Sequence, residues 1–311
     1  MPVVGLTDRP FVGRVGERET LAAQLAAARQ GGGRVILVSG EPGVGKTRLV
    51  EEAVARLAPG RVLCGRCQEI EGAPAFWPWI QVLRAYVRAT PGDRLRAELG
   101  DDAAELARLV PGIRTRCPDV AAPQEETLDA ETARFRLFDA IAMFLRTIAA
   151  TELLVLVLDD LHWADHESLL LLAFVARELR NQRLLVLGTY RETELRQAAA
   201  AARVLGDLAR ASRRLPLAGL TSEDVGQYVS AACGRMPTIR TVETILRATA
   251  GNAFFVTEVV QLLHSQGRLD ESAPGSRRLD IPDGVRETIR RRVEPLSDTG
   301  GSVLAAAADR V

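Results

Sequence analysis

The chain has 311 residues, 47% of them apolar, which is enough for about two packed units with separate cores. Lysine plus arginine number 40 and aspartate plus glutamate also number 40, so net charge provides no long-range attraction to nucleic acids or acidic membranes. No stretch reaches the roughly 18 apolar residues of a membrane helix, and we expect a cytoplasmic protein without membrane contact.

The N-terminal region is predicted to contain a lead-in and one helix. Residues 1–10 have no periodic pattern and are expected to be flexible. Residues 11–17 then precede a helical stretch in which Leu21 and Leu25 lie four residues apart, and the glycines at 31–33 close it. From the residues alone, this segment is the beginning of a helix that packs on a sheet.

The first chemical landmark is the segment GEPGVGKT, residues 40–47, which follows a short apolar run at 35–39. Its glycines allow the backbone to turn tightly and direct amide N–H groups at one anion, where the positive end of the next helix also points. Lys46 would reach the β- and γ-phosphates of a nucleotide, and the Thr47 hydroxyl would complete a Mg²⁺ shell. An ordinary glycine-rich turn is the alternative, but the strand before the segment and the amphipathic helix after it, ending near Leu57, favour a phosphate loop. The predicted nucleotide contacts here are Gly40, Pro42, Gly43, Val44, Gly45, Lys46, Thr47 and Arg48.

A second strand is predicted at 61–67. It carries Cys64 and Cys67 at the spacing of half a zinc site, whereas Cys117 and Cys233 are isolated in the sequence. The alternative, which we favour, is that the pair packs as small apolar residues of the strand.

Helical patterns dominate residues 80–149. An aromatic turn with Trp77 and Trp79 leads into them, and these side chains either stack on a base or, as is more common, anchor a loop on the core. The predicted helices lie at 80–87, 93–109 and 131–149, with a loop rich in proline and acidic residues at 111–129.

The second chemical landmark is the continuous apolar run 153–158, which ends in Asp159 and Asp160. Apolar residues without alternation indicate a strand that is covered on both faces, as in a parallel sheet. We expect this strand to lie next to the phosphate-loop strand, where Asp159 would hold Mg²⁺ directly or through water. Asp160 is the candidate for polarising the attacking water, and because it is shorter than the Glu of many ATPases we expect slow hydrolysis. Two acids that simply begin a loop are the alternative.

Polar residues follow this strand and the next one. Asp165 is a predicted helix N-cap, and His162 either senses the γ-phosphate or satisfies a hydrogen bond of the loop, the role that we favour. A further apolar strand is predicted to begin with residues 183–187. At its carboxyl end, Thr189 and Arg191 would face the ligand crevice of an open parallel sheet. A surface salt bridge is the alternative role for Arg191.

Only helices are predicted after the last short strand, at 215–217, which a helix at 195–211 precedes. Four helices are predicted after this strand. The first begins at residue 221, the second and third lie at 238–250 and 254–266, and the fourth carries Val285, Ile289 and Val293. The change in composition places a boundary between two domains near residues 217–220.

Five segments together resemble the ATPase module of large LuxR-type bacterial transcriptional regulators, which belong to the STAND branch of AAA-like signalling NTPases. The segments are FVGR (11–14), GEPGVGKT (40–47), LDDLHWAD (158–165), GTYR (188–191) and GNAFF (251–255). The similarity extends from about Phe11 to the end of the chain, and residues 158–165 are its most specific part. It implies a three-layer α/β fold of the P-loop NTPase type with a parallel sheet, followed by an α-helical lid. Two departures are Ala253, where the lid motif usually has Pro, and Val15, where an acidic residue often stands.

The resemblance also implies cofactors and site residues. The expected ligands are ATP or ADP and Mg²⁺. The metal ligands would be Thr47 and Asp159, and the catalytic residues Lys46, Asp160 and Arg191, the last as the first sensor residue. The adenine side and the lid would contribute Val12, Arg14, Gly251, Asn252 and Phe254.

The implied organisation has four parts. These are a lead-in at 1–10, an ATPase core at 11–218, a helical lid at 219–296 and, at 297–311, the start of a helical domain of winged-helix type.

The first hypothesis for function is a regulatory switch that binds ATP, hydrolyses it slowly, and changes its lid orientation or self-associates in the ATP state. Relatives bind DNA through a C-terminal helix-turn-helix, so we expect DNA contact only through a domain outside this chain. The second hypothesis is an ATPase motor or loader on nucleic acid, which the arginine-rich helix at 286–292 supports and the neutral charge and Asp160 disfavour. A scaffold with a degenerate site is the third, and the intact Lys46 and Thr47 disfavour it.

Overall fold

Five parallel strands form a single sheet, and the pattern of burial along each strand follows its place in that sheet. The strands are β1 (Arg34–Gly40), β2 (Arg61–Arg66), β3 (Leu154–Asp159), β4 (Leu184–Tyr190) and β5 (Arg213–Leu217), in the order β2-β3-β4-β1-β5. Every residue of β3 and β4 is buried, whereas the edge strands β2 and β5 alternate between buried and more exposed positions. Continuous apolar runs therefore belong to inner strands, which helices cover on both faces.

The strand order corrects one prediction. We expected β3, the strand that ends in Asp159, to lie next to β1, but β4 lies between them and pairs with both. Because β3 and β4 are both fully buried apolar strands, their sequences alone do not distinguish which of them neighbours β1.

The computed structural model describes residues 9–57, 60–69, 74–122, 129–178, 181–195, 199–267 and 269. The chain divides into an α/β unit, Arg14–Ala218, and a helical unit that combines Met1–Gly13 with Gly219–Val311. The predicted helix with Val285, Ile289 and Val293 and the predicted segment at 297–311 lie outside the described residues.

Ten helices flank the sheet in the described part of the α/β unit. They are α1 (Val15–Arg29), α2 (Lys46–Leu57), α3 (Trp77–Ala89), α4 (Gly92–Leu99), α5 (Ala103–Leu109), α6 (Gly112–Arg116), α7 (Ala130–Thr151), α8 (His166–Glu178), α9 (Glu192–Leu195) and α10 (Ala199–Ala211). The helix predicted at 93–109 is two helices, because Gly100 adopts a positive φ of 56° and starts a short 3₁₀ turn. The segment predicted as a loop from 111 contains the short helix α6. The predicted parallel α/β fold is confirmed.

The core of the α/β unit includes one of the two neighbouring tryptophans. Trp79 is fully buried, and its indole N–H donates a hydrogen bond of 3.1 Å to the backbone oxygen of Ser168 at the start of α8. Asp165 caps α8, because its carboxylate accepts a hydrogen bond of 2.9 Å from the Ser168 amide. Trp79 therefore anchors α3 on α8.

The cysteine pair on β2 divides between surface and core. Cys67 is buried just after the strand, whereas Cys64 is exposed, so only one of them packs as a small apolar residue. In the described part of the chain, no group of three or more His, Cys, Asp and Glu side chains is suited to hold a metal ion.

The described helical unit contains α11 (Ser222–Cys233), α12 (Ile239–Thr249) and α13 (Ala253–Ser265). Thr221 and Asp224 form a capping box at the start of α11. Val12 packs against the buried side chains of this unit, which include Val225, Ile245 and Val256. Among the helices that the structure describes, none is long and apolar enough to cross a membrane.

The close approach of β2 to α3 gives a test of the fold. A Cβ atom at Gly65 would lie 2.2 Å from the backbone oxygen of Pro78, and backbone yields little, so we expect Gly65→Ala to destabilise by about 1–3 kcal/mol. A Cβ atom added at Gly206 in α10 would lie more than 4 Å from every atom outside its own helical turn, and Gly206→Ala should stabilise by about 0.5–1 kcal/mol. Urea unfolding of both variants measures the difference; equal effects would contradict this packing.

Candidate functional site

The carboxyl ends of four parallel strands meet at one edge of the sheet, and polar residues stand at three of these ends. Arg66 stands at the end of β2, Asp159 at the end of β3 and Arg191 directly after β4, while β1 ends at Gly40, where the glycine-rich loop begins. In open parallel sheets, ligands bind in the crevice at this edge.

The glycine-rich loop between β1 and α2 has the backbone shape that its sequence predicts. Gly43 and Gly45 adopt positive φ angles of 79° and 101°, which L side chains rarely tolerate. The side chain of Val44 is buried, and its backbone oxygen accepts a hydrogen bond of 3.1 Å from Nη2 of Arg14. Since the Arg14 side chain is also buried, its guanidinium supports the loop from the start of α1.

Lys46 is held against this loop at the first residue of α2. Its Nζ donates hydrogen bonds of 2.8 Å and 3.0 Å to the backbone oxygens of Gly40 and Glu41. Burial, together with the positive charge of Arg191, lowers the pKa of Lys46 to about 8, which Asp160 and other nearby carboxylates partly oppose. An amine with this pKa is still mostly charged at pH 7 and is placed to meet an anion.

Asp159 is the most connected side chain of the site and is buried at the end of β3. Its Oδ1 accepts hydrogen bonds from the hydroxyls of Thr47, at 3.0 Å, and Thr189, at 2.6 Å. Its Oδ2 accepts a hydrogen bond of 2.8 Å from Nη2 of Arg66. One carboxylate thus ties together α2, β4 and β2.

Thr47 and Asp159 also meet the chemical requirement for magnesium. A hydroxyl and a carboxylate are hard oxygen ligands of the kind that Mg²⁺ prefers, and Mg²⁺ is usually bound by one or two such groups together with phosphates. The two side chains lie within 3.0 Å of each other, so this donor set fits the ion that the phosphate-loop pattern implies.

Asp160 has a left-handed backbone, with φ of 59°, and its carboxylate is half-buried beside Asp159. Its amide N–H donates a hydrogen bond of 2.9 Å to the hydroxyl of Thr189. Burial raises the pKa of Asp160, and the negative charge of Asp159 adds to that effect. The carboxylate is therefore a stronger base than an exposed aspartate.

Arg191, Glu194 and His162 form a group beside Asp160. Nη1 of Arg191 donates a hydrogen bond of 2.5 Å to Oε1 of Glu194, which lies on the short helix α9. The His162 side chain is fully buried, with Nε2 at 2.9 Å from Oε2 of Glu194 and 3.9 Å from Oδ1 of Asp160. Burial lowers the pKa of His162 to about 4, so the imidazole is neutral at pH 7.

The structure brings together most of the predicted site residues that belong to the α/β unit. Arg48 differs from the others, because its side chain forms an ion pair of 3.6 Å with Glu52, one turn further along α2. The group around the loop and the strand ends comprises Arg14, Gly40, Pro42, Gly43, Val44, Gly45, Lys46, Thr47, Asp159, Asp160 and Arg191.

The remaining predicted contacts belong to the helical unit. Gly251 is buried with φ of 72°, and its backbone oxygen accepts a hydrogen bond of 2.7 Å from the amide of Leu220. Asn252 is the N-cap residue of α13, and Phe254 in its first turn is partly exposed. Val12 is the fourth of these residues and packs in the core of the same unit.

Sequence reasoning missed two charged members of the site and assigned Thr189 differently. Thr189 is fully buried and orients the two aspartates, rather than facing a ligand crevice. Arg66 stands at the carboxyl end of β2, a position that could have identified it. Glu194 lies three residues after Arg191, the spacing of a helical ion pair.

Comparison with known proteins adds a family and a fold. A family model described as an AAA ATPase domain matches residues 10–187. No curated protein matches the chain.

Two solved structures share the fold with a TM-score of 0.50. The Aeropyrum pernix ORC2 protein in ADPNP-ADP complexes is 16% identical, and the alignment covers 94% of this chain and 74% of that one. Drosophila ORC bound to DNA is 15% identical, with 94% and 67% covered and the same TM-score of 0.50. At these identities the likeness concerns the fold alone.

A STAND protein with a tetratricopeptide repeat sensor from Pyrococcus horikoshii is a more distant match, with 16% identity and a TM-score of 0.45. The alignment covers 93% of this chain and 33% of that protein.

Burial of neutral His162 predicts a pH dependence of stability. The pKa of His162 is about 4 in the folded protein and about 6.5 in an unfolded chain, so the unfolded state binds more protons between these values. The stabilisation is complete above pH 6.5 and decreases as the pH falls toward 4, by at most about 3 kcal/mol. Urea unfolding from pH 7 to 4.5 should show a steeper loss of stability for the wild type than for His162→Gln. Parallel curves for the two proteins would contradict a buried, neutral His162.

Proposed function

The chain belongs to the family of AAA ATPase domains, and from that membership together with the resemblance of its five segments we propose that it is an ATP-binding, slowly hydrolysing switch of a LuxR-type transcriptional regulator. The observation that carries the proposal is the contact of Thr47, the last residue of the phosphate loop, with the buried Asp159 at 3.0 Å. The contact unites the loop that would bind phosphate with the acid that would bind the metal.

In the proposed function the loop and Lys46 bind the phosphates of ATP. The amide groups around Gly43 and Gly45 and the positive end of α2 favour an anion at this place. Lys46 would exchange its bonds to the loop oxygens of Gly40 and Glu41 for phosphate oxygens. A charged donor makes stronger hydrogen bonds to phosphate than to a neutral carbonyl, which favours that exchange.

Thr47 and Asp159 would hold Mg²⁺, which when bound neutralises charge on the phosphates. Asp160 would orient and deprotonate the attacking water, a role that its raised pKa suits. Arg191 would contact the terminal phosphate as a sensor. The shorter reach of Asp160 compared with a glutamate supports slow hydrolysis.

The helical unit would act as the lid of the switch. Arg14 and Val12 would lie on the adenine side, and Gly251, Asn252 and Phe254 would contact the nucleotide from the lid. The change from ATP to ADP would then alter lid orientation or self-association. Contact with DNA would belong to a C-terminal domain outside this chain, in the cytoplasm.

A second candidate is an AAA ATPase that acts as a motor or loader on nucleic acid. The shared fold with Drosophila ORC bound to DNA favours it, as does the arginine-rich segment at 286–292. The two candidates differ in one measurable property, since DNA should accelerate ATP hydrolysis by a motor and leave that of an isolated switch module unchanged.

Two substitutions test the proposed function. Lys46→Ala removes the charged phosphate ligand and should weaken ATP binding about 100-fold or more, measured by calorimetry. Removal of the lysine ends the cost of its buried charge but also its two hydrogen bonds to loop oxygens, so the melting temperature should change little. Arg56→Ala, at an exposed position on the same helix, is the control and should bind ATP normally. Unchanged affinity in Lys46→Ala would refute the site.

Asp160→Asn is the companion variant, because asparagine adopts a left-handed backbone more readily than alanine does. It should retain ATP and lower the hydrolysis rate about 100-fold.

The pKa of Lys46 predicts how ATP affinity depends on pH. The amine is charged below a pKa of about 8 and neutral above it, and only the charged form should bind phosphate well. The dissociation constant for ATP should therefore be constant from pH 6.5 to 7.5 and rise about tenfold by pH 9. Lys46→Arg keeps its charge in this range and should bind with an affinity that does not change with pH. A flat profile in the wild type would exclude Lys46 as the titrating ligand.

A further inference from the structure

Arg191 and Glu194 form an ion pair that links the proposed phosphate sensor to a carboxylate. The two side chains are about equally half-buried, and Nη1 of Arg191 lies 2.5 Å from Oε1 of Glu194. The guanidinium N–H group that donates to Glu194 is a donor that a terminal phosphate would also need, so the carboxylate and the phosphate would compete for Arg191.

Glu194 faces the phosphate-binding side of the site. Its charge acts on Lys46 as well as on His162, so the carboxylate lies within electrostatic reach of both groups. Its second oxygen, Oε2, is buried against the imidazole of His162 and makes no hydrogen bond that the described residues supply. Because that imidazole is neutral, it does not balance the charge of Glu194, and Arg191 does.

We propose that Glu194 is the counter-ion that Arg191 exchanges for the terminal phosphate, and that this exchange sets how strongly the site prefers ATP over ADP. The inference rests on the proposed function, because it requires ATP at the loop with Arg191 near its γ-phosphate. Glu194 is then a specificity-determining residue rather than a structural one.

Two physical effects favour ADP as long as Glu194 is charged. ATP binding must break the pair with Arg191, whereas ADP has no γ-phosphate and leaves the pair intact. After the exchange, a carboxylate and a γ-phosphate of the same sign remain close together, which further opposes ATP. Neutralising Glu194 removes both effects and should shift the preference toward ATP.

Glu192 provides a matched control on the same short helix. It also carries a carboxylate, but Ser39 donates a hydrogen bond of 2.9 Å to it and Arg214 one of 2.7 Å. Glu192→Gln therefore removes the same charge from α9 without freeing Arg191.

The test measures dissociation constants for ATP and ADP with Mg²⁺ at pH 7, by calorimetry on the wild type, Glu194→Gln, Glu192→Gln, Arg191→Gln and the double variant at 191 and 194. Glu194→Gln should raise the ratio of ATP to ADP affinity about three- to tenfold, the range for a partly exposed ion pair plus one like charge. Glu192→Gln should leave the ratio unchanged. Arg191→Gln should lower this ratio. Glu194→Gln should change the ratio clearly less when Arg191 is already replaced than it does in the wild type.

The outcomes separate the inference from the proposed function. If the wild type binds neither nucleotide, the proposed function fails and the inference with it. If the wild type binds ATP but Glu194→Gln keeps the wild-type ratio, the inference alone is wrong. If Glu194→Gln does not fold, Glu194→Asp replaces it, because the shorter carboxylate should also release Arg191 and raise the ratio of ATP to ADP affinity. Arg191→Gln should then still lower that ratio. A wild-type ratio in both variants would contradict the inference.

Discussion

The buried carboxylate of Asp159 is the constraint on which the rest of the site depends. An isolated charge in a protein interior is costly unless donors surround it, and here Thr47, Thr189 and Arg66 supply them from three different elements. The requirement to satisfy one carboxylate thus fixes the spacing between the phosphate loop, β4 and β2. Removing any one donor would loosen the site, and the loss should be largest for Arg66, because its contact is an ion pair whereas the two threonines donate neutral hydroxyl hydrogen bonds.

The place of β4 in the sheet makes this arrangement possible. It inserts between β1 and β3 and carries Thr189, whose hydroxyl contacts both aspartates at once. Arg191 directly follows the same strand, so β4 positions this arginine as well as the two acids. The left-handed backbone at Asp160 ends β3 directly after Asp159, so the two neighbouring acids do not continue the alternation of a regular strand.

Local patterns predicted most of the fold and the centre of the site. The glycine spacing before Lys46 and the unbroken apolar run before Asp159 are signals contained in short segments, and both elements are where those signals placed them. The strand order was not predictable in this way, because the runs of β3 and β4 are equivalent in burial. Arg66 and Glu194 were missed for a related reason. The strand end at Arg66 and the three-residue spacing of Glu194 from Arg191 are local signals. They do not indicate that Arg66 will meet Asp159 or that Glu194 will meet His162, because those partners are distant in sequence.

Lys46 has a chemical consequence beyond its proposed contact with phosphate. It is the only lysine among the 311 residues, so the 40 basic residues consist of this one and 39 arginines. An ordinary lysine is almost entirely protonated at pH 8, whereas the pKa of about 8 leaves a large fraction of Lys46 as the free amine. An acylating reagent small enough to reach this buried amine would therefore modify a single lysine, beside the glycine-rich loop. A spectroscopic probe could thus be attached to a single lysine side chain, at the place where phosphate is expected.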